Sequence, residues 1–214
     1  MPPKAEAINT MPQARWVNKG AASQIAYTYD GAGTRALSVG NGQSKLEFTG
    51  LDGLLYYEKN LTTGASTNHL YLGRKKLVDV ESNGTATYFH SDPTGSPVAA
   101  TDAAGKLLWR ASYKPFGDKT FGAGAQTPIK NQQWFTGKPH EEATGLSYFG
   151  ARWYDPVIGR FTAVDSVDWQ ESDPTHSFNR YAYGNNNSFR FVDPDGRSSV
   201  KAIGVGIVAG GILG

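Results

Sequence analysis

Residues 85–109 read TATYFHSDPTGSPVAATDAAGKLLW, and this stretch decides the fold. Twice a run suited to a strand ends in a four-residue Asp-x-x-Gly unit, first at Asp92–Gly95 and then at Asp102–Gly105. The Asp side chain can bond the backbone two residues further on, and Gly accepts the positive φ that follows a type I turn. Such turns join antiparallel strands, often with a bulge. The stretch therefore predicts successive hairpins.

The same unit recurs along the chain, at Asp30–Gly33, Asp92–Gly95, Asp102–Gly105 and Asp193–Gly196. Before residue 197 no long window shows the i, i+3, i+4 apolar spacing of an amphipathic helix. The 26 glycines and the 12% aromatic content also favour strands and turns. We therefore predict an all-β fold of antiparallel hairpins, followed from Val200 by a short tail that is either helical or disordered.

Composition excludes several classes of protein. The 214 residues suit one domain or two, and the net charge of +2 is too small for a nucleic-acid footprint, so no nucleic-acid partner is expected. The absence of cysteine excludes disulfides and cysteine-ligated zinc. The first residues, MPPKAEAINTMPQARW, have no apolar core of a Sec signal peptide, so any export is expected by another route.

Four segments resemble the Rhs/YD-repeat family. YTYDGAGT (27–34) resembles one YD repeat, and YFHSDPTGSPVAATDAAGKLLWRASYKPFGD (88–118) resembles the segment that precedes the family's core. FTGKPHEEATGLSYFGARWYDPVIGRFTAVDSVD (135–168) and NRYAYGNNNSFRFVDPDG (179–196) are similar to the Rhs repeat-associated core itself. Because these motifs occur in the family's order, the resemblance covers residues 22–196.

The resemblance implies a large polymorphic toxin in which YD repeats wind into a hollow β-shell that the core closes. The implied division is a leader (1–21), a YD-repeat-like shell segment (22–130), the core as a plug (131–196) and the start of a truncated toxin or pre-toxin segment (197–214). We therefore expect the strands of residues 24–163 to curve into part of a shell and not to close into a small barrel. In isolation, such a fragment exposes sheet edges, which favour poor solubility or oligomerisation.

The implied partners are a C-terminal toxin domain (absent here), its immunity protein and a secretion apparatus, in competition between bacteria. The implied location is cytoplasmic before export and secreted or cell-surface afterwards. Membrane contact is expected only through the tail AIGVGIVAGGILG (202–214), which is shorter than the roughly 20 residues that span a bilayer. The tail suits either membrane insertion of the toxin or a linker buried in the shell.

The family's core is also likened to an aspartic autoprotease that cuts its own chain just after DPxG. Such chemistry uses two carboxylates, one to activate water and one to polarise the scissile carbonyl, and a nearby arginine can hold one of them ionised. The matching residues here are Arg152 of GARWYDP, Asp165 of FTAVDSVD and Asp193 of VDPDG. These three are the candidate catalytic residues.

The family's pattern places the scissile bond one residue after Gly196, between Arg197 and Ser198. The chain departs from that pattern here, because leucine usually occupies the position of Arg197. Ser166 and Ser188 also replace prolines that are usual after the first aspartate and after the NNN run. Since Arg197 changes the cleavage-site side chain and leaves the two aspartates intact, slow or absent cleavage is expected.

Each candidate also has a structural interpretation. Asp193 suits an Asx turn, Asp165 can cap a turn or pair with Arg152 or Arg160, and Arg152 can stack on neighbouring aromatic rings. Four acids, Asp165, Asp168, Glu171 and Asp173, lack the D-x-D-x-D-G spacing of a calcium loop, so a solvated acidic loop is the expectation there.

No cofactor or metal is expected. No phosphate loop, GxSxG elbow or Cys/His pair occurs, and the histidines lack ligand spacing and are interpreted as surface or structural. The histidines are His69, His90, His140 and His176.

Three functions remain open. The first is a shell segment that encloses a toxin, and the second is a self-cleaving aspartic protease, which is compatible with the first. The third is an adhesive or carbohydrate-binding β module, suggested by the tryptophans and many tyrosines, although a strand-rich core needs the same residues. The tryptophans are Trp16, Trp109, Trp134, Trp153 and Trp169.

Overall fold

The computed structural model describes residues 14–17, 20, 22, 24–121, 133–142, 144–166, 178–197 and 200–201. Within these residues the regular structure is almost entirely antiparallel strand, so the predicted all-β fold is confirmed. No helix in the described ranges has the length and apolar character needed to cross a bilayer.

Eleven strands form one large sheet, in which each strand pairs with the next strand along the chain. They are β1 (Trp16–Val17), β2 (Ile25–Tyr29), β3 (Arg35–Gly40), β4 (Gln43–Thr49), β5 (Leu55–Asn60), β6 (Ser66–Leu72), β7 (Lys75–Glu81), β8 (Ala86–Ser91), β9 (Pro97–Thr101), β10 (Leu107–Tyr113) and β11 (Lys119–Phe121). Since β1 and β11 do not pair with each other in the described residues, the sheet is open, which fits part of a shell and not a small closed barrel.

Three of the Asp-x-x-Gly units close hairpins of this sheet by one scheme. Asp30 Oδ1 accepts hydrogen bonds from the backbone N–H groups of Ala32 (2.9 Å) and Thr34 (2.8 Å). The side chains of Asp92 and Asp102 each accept the two equivalent bonds at 2.9 Å. The strand register shifts beside all three turns, which is the bulge that the turn chemistry predicts.

A smaller sheet follows the large one. After a 3-10 turn at Phe135–Gly137, four short strands pair in chain order. They are β12 (His140–Glu141), β13 (Leu146–Tyr148), β14 (Trp153–Asp155) and β15 (Arg160–Phe161). A second 3-10 turn, Gly184–Asn186, leads to β16 (Phe191–Val192), which pairs with β17 (Val200–Lys201).

This last pair corrects one expectation. The tail from Val200 is predicted to be helical or disordered, but Val200–Lys201 form a strand because their backbone pairs with Phe191–Val192. The remainder of the tail, residues 202–214, lies outside the described residues.

The small sheet packs against the first strands of the large one. The ring of Trp153 lies 5.3 Å from that of Tyr27 and 5.2 Å from that of Tyr148. The guanidinium of Arg35 lies 5.0 Å from the Tyr148 centroid and makes a buried bidentate pair with Glu47 at 2.7 and 2.9 Å. Aromatic burial and a charge-paired arginine therefore fix the small sheet on β2–β4.

A second aromatic cluster lies next to Arg152, one of the three candidate catalytic residues. Its buried members are Phe135, Phe149, Tyr154, Phe161 and Tyr183. The rings of Phe149 and Phe161 meet edge to face, 5.6 Å apart at 89°. Because a fully buried side chain such as Phe contributes about 1.5–3 kcal/mol, this cluster stabilises the part of the fold that carries Arg152.

Candidate active site

Arg152 lies immediately before β14 and is only 1% exposed. Its Cζ lies 3.7 Å from the centroid of the Phe161 ring, so the expected stacking on an aromatic side chain is present, on a ring supplied by β15. Burial lowers the pKa of the guanidinium, although the nearby carboxylates of Asp165 and Asp193 favour its charged form. A cation held this deeply needs partners for each of its nitrogen atoms.

The three guanidinium nitrogens of Arg152 join three distant parts of the chain. Nε donates to the carbonyl of Gly196, and Nη1 donates to the carbonyl of Arg180 at 2.9 Å. Nη2 lies 2.7 Å from Asp165 Oδ2 and 3.3 Å from Asp193 Oδ2. The two carboxylate oxygens are therefore no farther apart than the sum of these distances, which one water molecule can bridge.

Asp165 follows β15 in a loop that Arg180 holds. Its backbone N–H donates to the Arg180 carbonyl at 3.1 Å, and its own carbonyl accepts from Arg180 Nη2. The side chain is fully buried against Arg152, so the expectation of a solvated acidic loop is wrong for this residue. The ion pair is the physical reason, since it compensates the carboxylate charge inside the protein. The later acids, Asp168, Glu171 and Asp173, lie outside the described residues.

Asp193 begins the fourth Asp-x-x-Gly unit and is 1% exposed. Its Oδ1 accepts hydrogen bonds from the backbone N–H groups of Asp195 (3.3 Å), Gly196 (2.7 Å) and Arg197 (3.2 Å), which is the Asx-type turn that its sequence predicts. Burial raises the pKa of the Asp193 carboxyl to about 7, even though Arg152 opposes the shift. Asp193 can therefore carry a proton near neutral pH, as one member of an aspartate pair must.

Its burial distinguishes Asp193 from the first aspartates of the other three Asp-x-x-Gly units. Asp30 is exposed, and Asp92 and Asp102 are half-buried, while Asp193 directs its second oxygen at an arginine inside the protein. The four turns are equivalent as turn chemistry, so the pattern alone does not single out the last one. What sets it apart is the small sheet packed against it.

The Asp193–Gly196 turn is closely packed against the segment that carries Arg152. The Ala151 N–H donates to the Asp195 carbonyl at 3.0 Å. A Cβ built on Gly196, whose φ is +76°, would lie 3.1 Å from the Arg152 nitrogen, and one on Gly150 would lie 3.2 Å from the Asp195 oxygen. Glycine at both positions lets the turn seat closely enough for Arg152 to reach both aspartates.

The predicted cleavage bond lies at the edge of this arrangement. The N–H of Arg197 is held by Asp193 Oδ1 at 3.2 Å and by Asp195 Oδ1 at 3.0 Å, while Ser198 lies outside the described residues. Beyond it, Val200 pairs with Val192, so both flanks of the bond are anchored to one short hairpin.

Arg197 is exposed and borders a cavity of about 530 Å³ between the two sheets. Its charged lining residues other than Arg197 are four acids and two cations: Asp30, Glu47, Asp52, Asp195, Arg74 and Lys138. The charged Arg197 side chain therefore borders a cavity of mixed character, in which these charges lie beside apolar residues such as Leu51 and Phe149.

Two cations that the sequence does not single out contact the same turn. Lys138 Nζ lies 2.5 Å from the carbonyl oxygen of Pro194, and Arg74 Nη2 lies 3.2 Å from the same atom. Burial lowers the pKa of Lys138 to about 8, with the neighbouring Arg74 adding to the effect. No spacing rule identifies such residues, because their role depends on a carbonyl more than fifty positions away.

The two serines that replace the family's usual prolines, Ser166 and Ser188, differ in their surroundings. Ser188 is buried, and its hydroxyl donates to the carbonyl of Pro115, which ties this loop to the turn before β11. Ser166 is exposed next to Asp165. Neither serine contacts the carboxylates of Asp165 or Asp193 through a hydrogen bond in the described residues.

Two of the histidines have structural roles. His69 is buried, and its Nδ1 lies 2.6 Å from Asp79 Oδ1. His140 stacks on Trp134 with ring centroids 3.6 Å apart, and burial lowers its pKa to about 4. His90 is exposed, and His176 lies outside the described residues. Among the described residues, no group of three or more His, Cys, Asp or Glu side chains is arranged to hold a metal ion.

The chain thus combines an open meandering sheet, a small sheet packed against it and a buried Arg–Asp–Asp cluster at a DPxG turn. The Teneurin YD-shell family model matches residues 8–189. This chain therefore belongs to the Rhs/YD-shell family.

Curated relatives and solved structures agree with this assignment. The tRNA3(Ser)-specific nuclease WapA of Bacillus spizizenii is 30% identical over 86% of this chain, and the double-stranded DNA deaminase toxin A of Burkholderia cenocepacia is 33% identical over 55% of it. The crystal structure of TcdB2-TccC3 matches 88% of this chain with a TM-score of 0.71 and 26% identity. The chain spans 8% of the length of each of these two relatives and 10% of the matched crystallographic chain.

Proposed function

We propose that this chain is the closing part of a YD-shell that encloses a C-terminal toxin used in competition between bacteria. The support is that relatives named for different activities, a tRNA nuclease and a DNA deaminase toxin, match 86% and 55% of this segment. A segment common to proteins of unlike chemistry carries what they have in common and not the chemistry itself. An open sheet closed on one side by a packed small sheet suits containment.

The proposed division keeps the leader at 1–21, the shell segment at 22–130, the plug at 131–196 and the start of the toxin region at 197–214. The change from the large sheet to the small one, between β11 and the turn at Phe135–Gly137, supports the boundary near residue 130. The proposed partners are the toxin, its immunity protein and a secretion apparatus. Export by a non-Sec route to the medium or cell surface completes the proposal.

The enclosure is tested in a longer natural chain that carries this segment. Residues downstream of Gly214 are expected to resist an added protease in native buffer and to be digested once urea unfolds the shell. Digestion in native buffer, with the shell itself intact, would contradict enclosure.

We also propose that the buried cluster cuts the chain once, between Arg197 and Ser198. The observation that carries this is the position of Arg152, which contacts Asp165 and Asp193 through one nitrogen and bonds the Gly196 carbonyl through another. The reactive groups and the cleavage segment are thereby held by a single side chain. Because the bond belongs to the same chain as the carboxylates, its effective concentration is high.

In the proposed reaction Asp165, which makes the shorter ion pair, is the ionised carboxylate and takes a proton from the attacking water. Asp193 carries the other proton and donates it to the oxygen of the Arg197 carbonyl as water adds to the carbon. The intermediate then collapses: one of its hydroxyl groups returns a proton to Asp193, the Arg197–Ser198 bond breaks, and the amine of Ser198 receives the proton that Asp165 holds. One water is consumed, and a carboxyl at Arg197 and an amine at Ser198 are formed.

A structural ion triad is the second candidate for this cluster. It is favoured by the same nitrogen of Arg152 contacting both carboxylates, which is the arrangement of a buried charge network. The intact mass of the purified chain separates the two. Loss of residues 198–214 supports cleavage, whereas a full-length mass also in the Arg197→Leu variant leaves only the structural role.

The adhesive or carbohydrate-binding alternative receives no support from the described tryptophans. Trp109 and Trp153 are buried in core clusters, and their surfaces are not available to a sugar. Trp16 and Trp134 are half-buried, and Trp169 lies outside the described residues. The tryptophans that the structure places in the interior serve packing.

A further inference from the structure

Lys138 is a buried cation with an unusual partner. Its residue is 6% exposed, and its Nζ bonds the backbone carbonyl of Pro194 at 2.5 Å. No carboxylate lies within salt-bridge distance of it in the described residues, and the ring of Phe149 lies 5.6 Å away on another side. A buried ammonium is costly unless it is compensated. The Pro194 carbonyl is its hydrogen-bond acceptor in the described residues, while Asp193, Asp195 and Asp52 favour its charge from farther away.

The carbonyl of Pro194 is held from two sides. Arg74 reaches it at 3.2 Å from the tip of the β6–β7 hairpin and also donates to the Asp52 carbonyl at 2.9 Å. Lys138 comes from the small-sheet side, directly after the 3-10 turn at Phe135–Gly137. One peptide of the cleavage turn therefore receives one cation from the shell and one from the plug, which suits the two lone pairs of a carbonyl oxygen.

That peptide is central to the proposed cleavage. It lies between Asp193, whose side chain takes part in the reaction, and Gly196, whose carbonyl is bonded by Arg152. The next carbonyl, that of Asp195, accepts from the Ala151 N–H at 3.0 Å. Fixing the Pro194 carbonyl thus fixes the direction in which the turn presents the following residues.

We propose that Lys138 and Arg74 form a clamp on Pro194 that positions the cleavage turn, so that the turn takes its reactive geometry only where plug and shell are docked together. The clamp adds a positioning step to the self-cleavage proposed above, and its biological purpose depends on that proposal. Its effect on the geometry of the turn is independent of whether the bond is cut. Both residues act through Pro194 and are positioning residues.

The first test measures the turn itself, by hydrogen exchange in the uncleaved chain. Lys138→Met keeps the length of the side chain and removes the cation. It is expected to speed exchange at the amides of Ala151, Gly196 and Arg197 by about tenfold or more, because a bond from a charged donor is lost. Exchange in β2–β10 is expected to stay unchanged.

Lys119→Met is the matched control. Lys119 is also a buried lysine whose pKa burial lowers to about 8, but its ammonium lies over the rings of Trp109 and Trp134, at 4.9 and 4.5 Å. This variant is expected to leave exchange in the cleavage turn unchanged. An equal increase in both variants, or none in Lys138→Met, would overturn the clamp.

The second test measures coupling through the shared oxygen. In the Arg197→Leu background, cleavage rates of Lys138→Met, Arg74→Met and the double variant are compared. The two effects are expected to be non-additive, since both side chains act on one carbonyl, whereas two unrelated structural losses would add. Additive effects would overturn the shared clamp.

The two proposals fail separately. If no variant cleaves but Lys138→Met still loosens the turn while Lys119→Met does not, the self-cleavage is wrong and the clamp stands. If Arg197→Leu cleaves and Lys138→Met changes neither its rate nor the exchange of the turn, the clamp is wrong and the self-cleavage stands.

Discussion

Arg152 and Asp165 form a fully buried ion pair of 2.7 Å between a residue that precedes β14 and a loop that follows β15. Because the β14–β15 hairpin between them is short, the pairing of two adjacent strands brings Arg152 and Asp165 together. No contact between distant parts of the chain is needed. Asp193 is then brought to the same guanidinium by the Asp193–Gly196 turn, about 40 residues further along the chain. The second aspartate therefore completes a site whose first half is local.

The two aspartates are expected to be indispensable for cleavage. Asp165→Asn and Asp193→Asn each remove one carboxylate with little change of shape, and both should abolish the cut. Arg197→Leu should raise the slow rate of the parent chain, because it restores the side chain usual at this position. Mass spectrometry of the parent chain and the three variants measures how much of each protein is cleaved. A terminus at Arg197 that persists in both Asn variants would mean contaminating proteolysis.

Removal of Arg152 is expected to destabilise the plug strongly. Arg152→Met leaves two buried carboxylates without their cation, which costs about 3–5 kcal/mol in comparable buried pairs. Urea unfolding of the chain measures the change. Arg160→Met is the control, since Arg160 is only half-buried and bonds the Asn186 side chain at 2.9 Å; a loss below about 1 kcal/mol is expected there. Equal losses would contradict a buried-charge origin.

The pH dependence of cleavage follows from Asp193. Its pKa is raised to about 7, and the proposed reaction needs it protonated, so the rate should fall as pH rises through 7. Well above that pH the fall is about tenfold per pH unit, as for loss of one essential proton. A rate measured from pH 5 to 9 in the Arg197→Leu variant checks it. A rate that increases steadily across this range would contradict the assignment.

The same shift predicts a change in stability with pH. Between the ordinary value of 3.8 and about 7, the folded chain holds the Asp193 proton more tightly than the unfolded chain. The free energy of unfolding should therefore fall as pH rises through this window and become level above it. Asp193→Asn removes this contribution, so the difference between the two unfolding curves isolates it from other titrating groups such as His140. An unchanged difference from pH 4 to 7 would contradict the raised pKa.

Gly196 and Gly105 offer a test of how closely the cleavage turn is seated. Both have positive φ, +76° and +79°, so alanine costs about 1–2 kcal/mol of backbone strain at either position. Only at Gly196 would the new Cβ also meet neighbours, at 3.1 Å from the Arg152 nitrogen. Gly196→Ala should therefore be more destabilising by about 1–3 kcal/mol in urea unfolding. Equal losses would mean that the turn is loosely packed.

Turn chemistry predicts the hairpins and their bulges because the deciding contacts are local. The hydrogen bond that the Ala32 N–H donates to the Asp30 side chain spans two residues and can be predicted from the sequence. Other hairpins use signals that the Asp-x-x-Gly pattern does not include, such as Asn41 and Gly42 with φ of +52° and +71° between β3 and β4.

The site is only partly accessible to such reasoning. Arg152, Asp165 and Asp193 are identified through the family resemblance, and their shared nitrogen contact is a property of the folded plug. Lys138 is not identified at all, since a lysine after a 3-10 turn is ordinarily exposed. Its partner, Pro194, is brought to it by the packing of the small sheet. Local spacing predicts turns, and non-local burial decides which turn is packed against a buried charge cluster.

The strand order of the large sheet has a consequence for how the chain is made. Because β1 to β11 pair strictly in chain order, each strand leaving the ribosome finds its neighbour already emerged, and no pairing waits for a distant segment. The last turn, at Asp193, is also the last part of the site to be translated. The large sheet can therefore pair in the order of its synthesis, whereas Arg152 meets both of its carboxylates only after Asp193 has been translated.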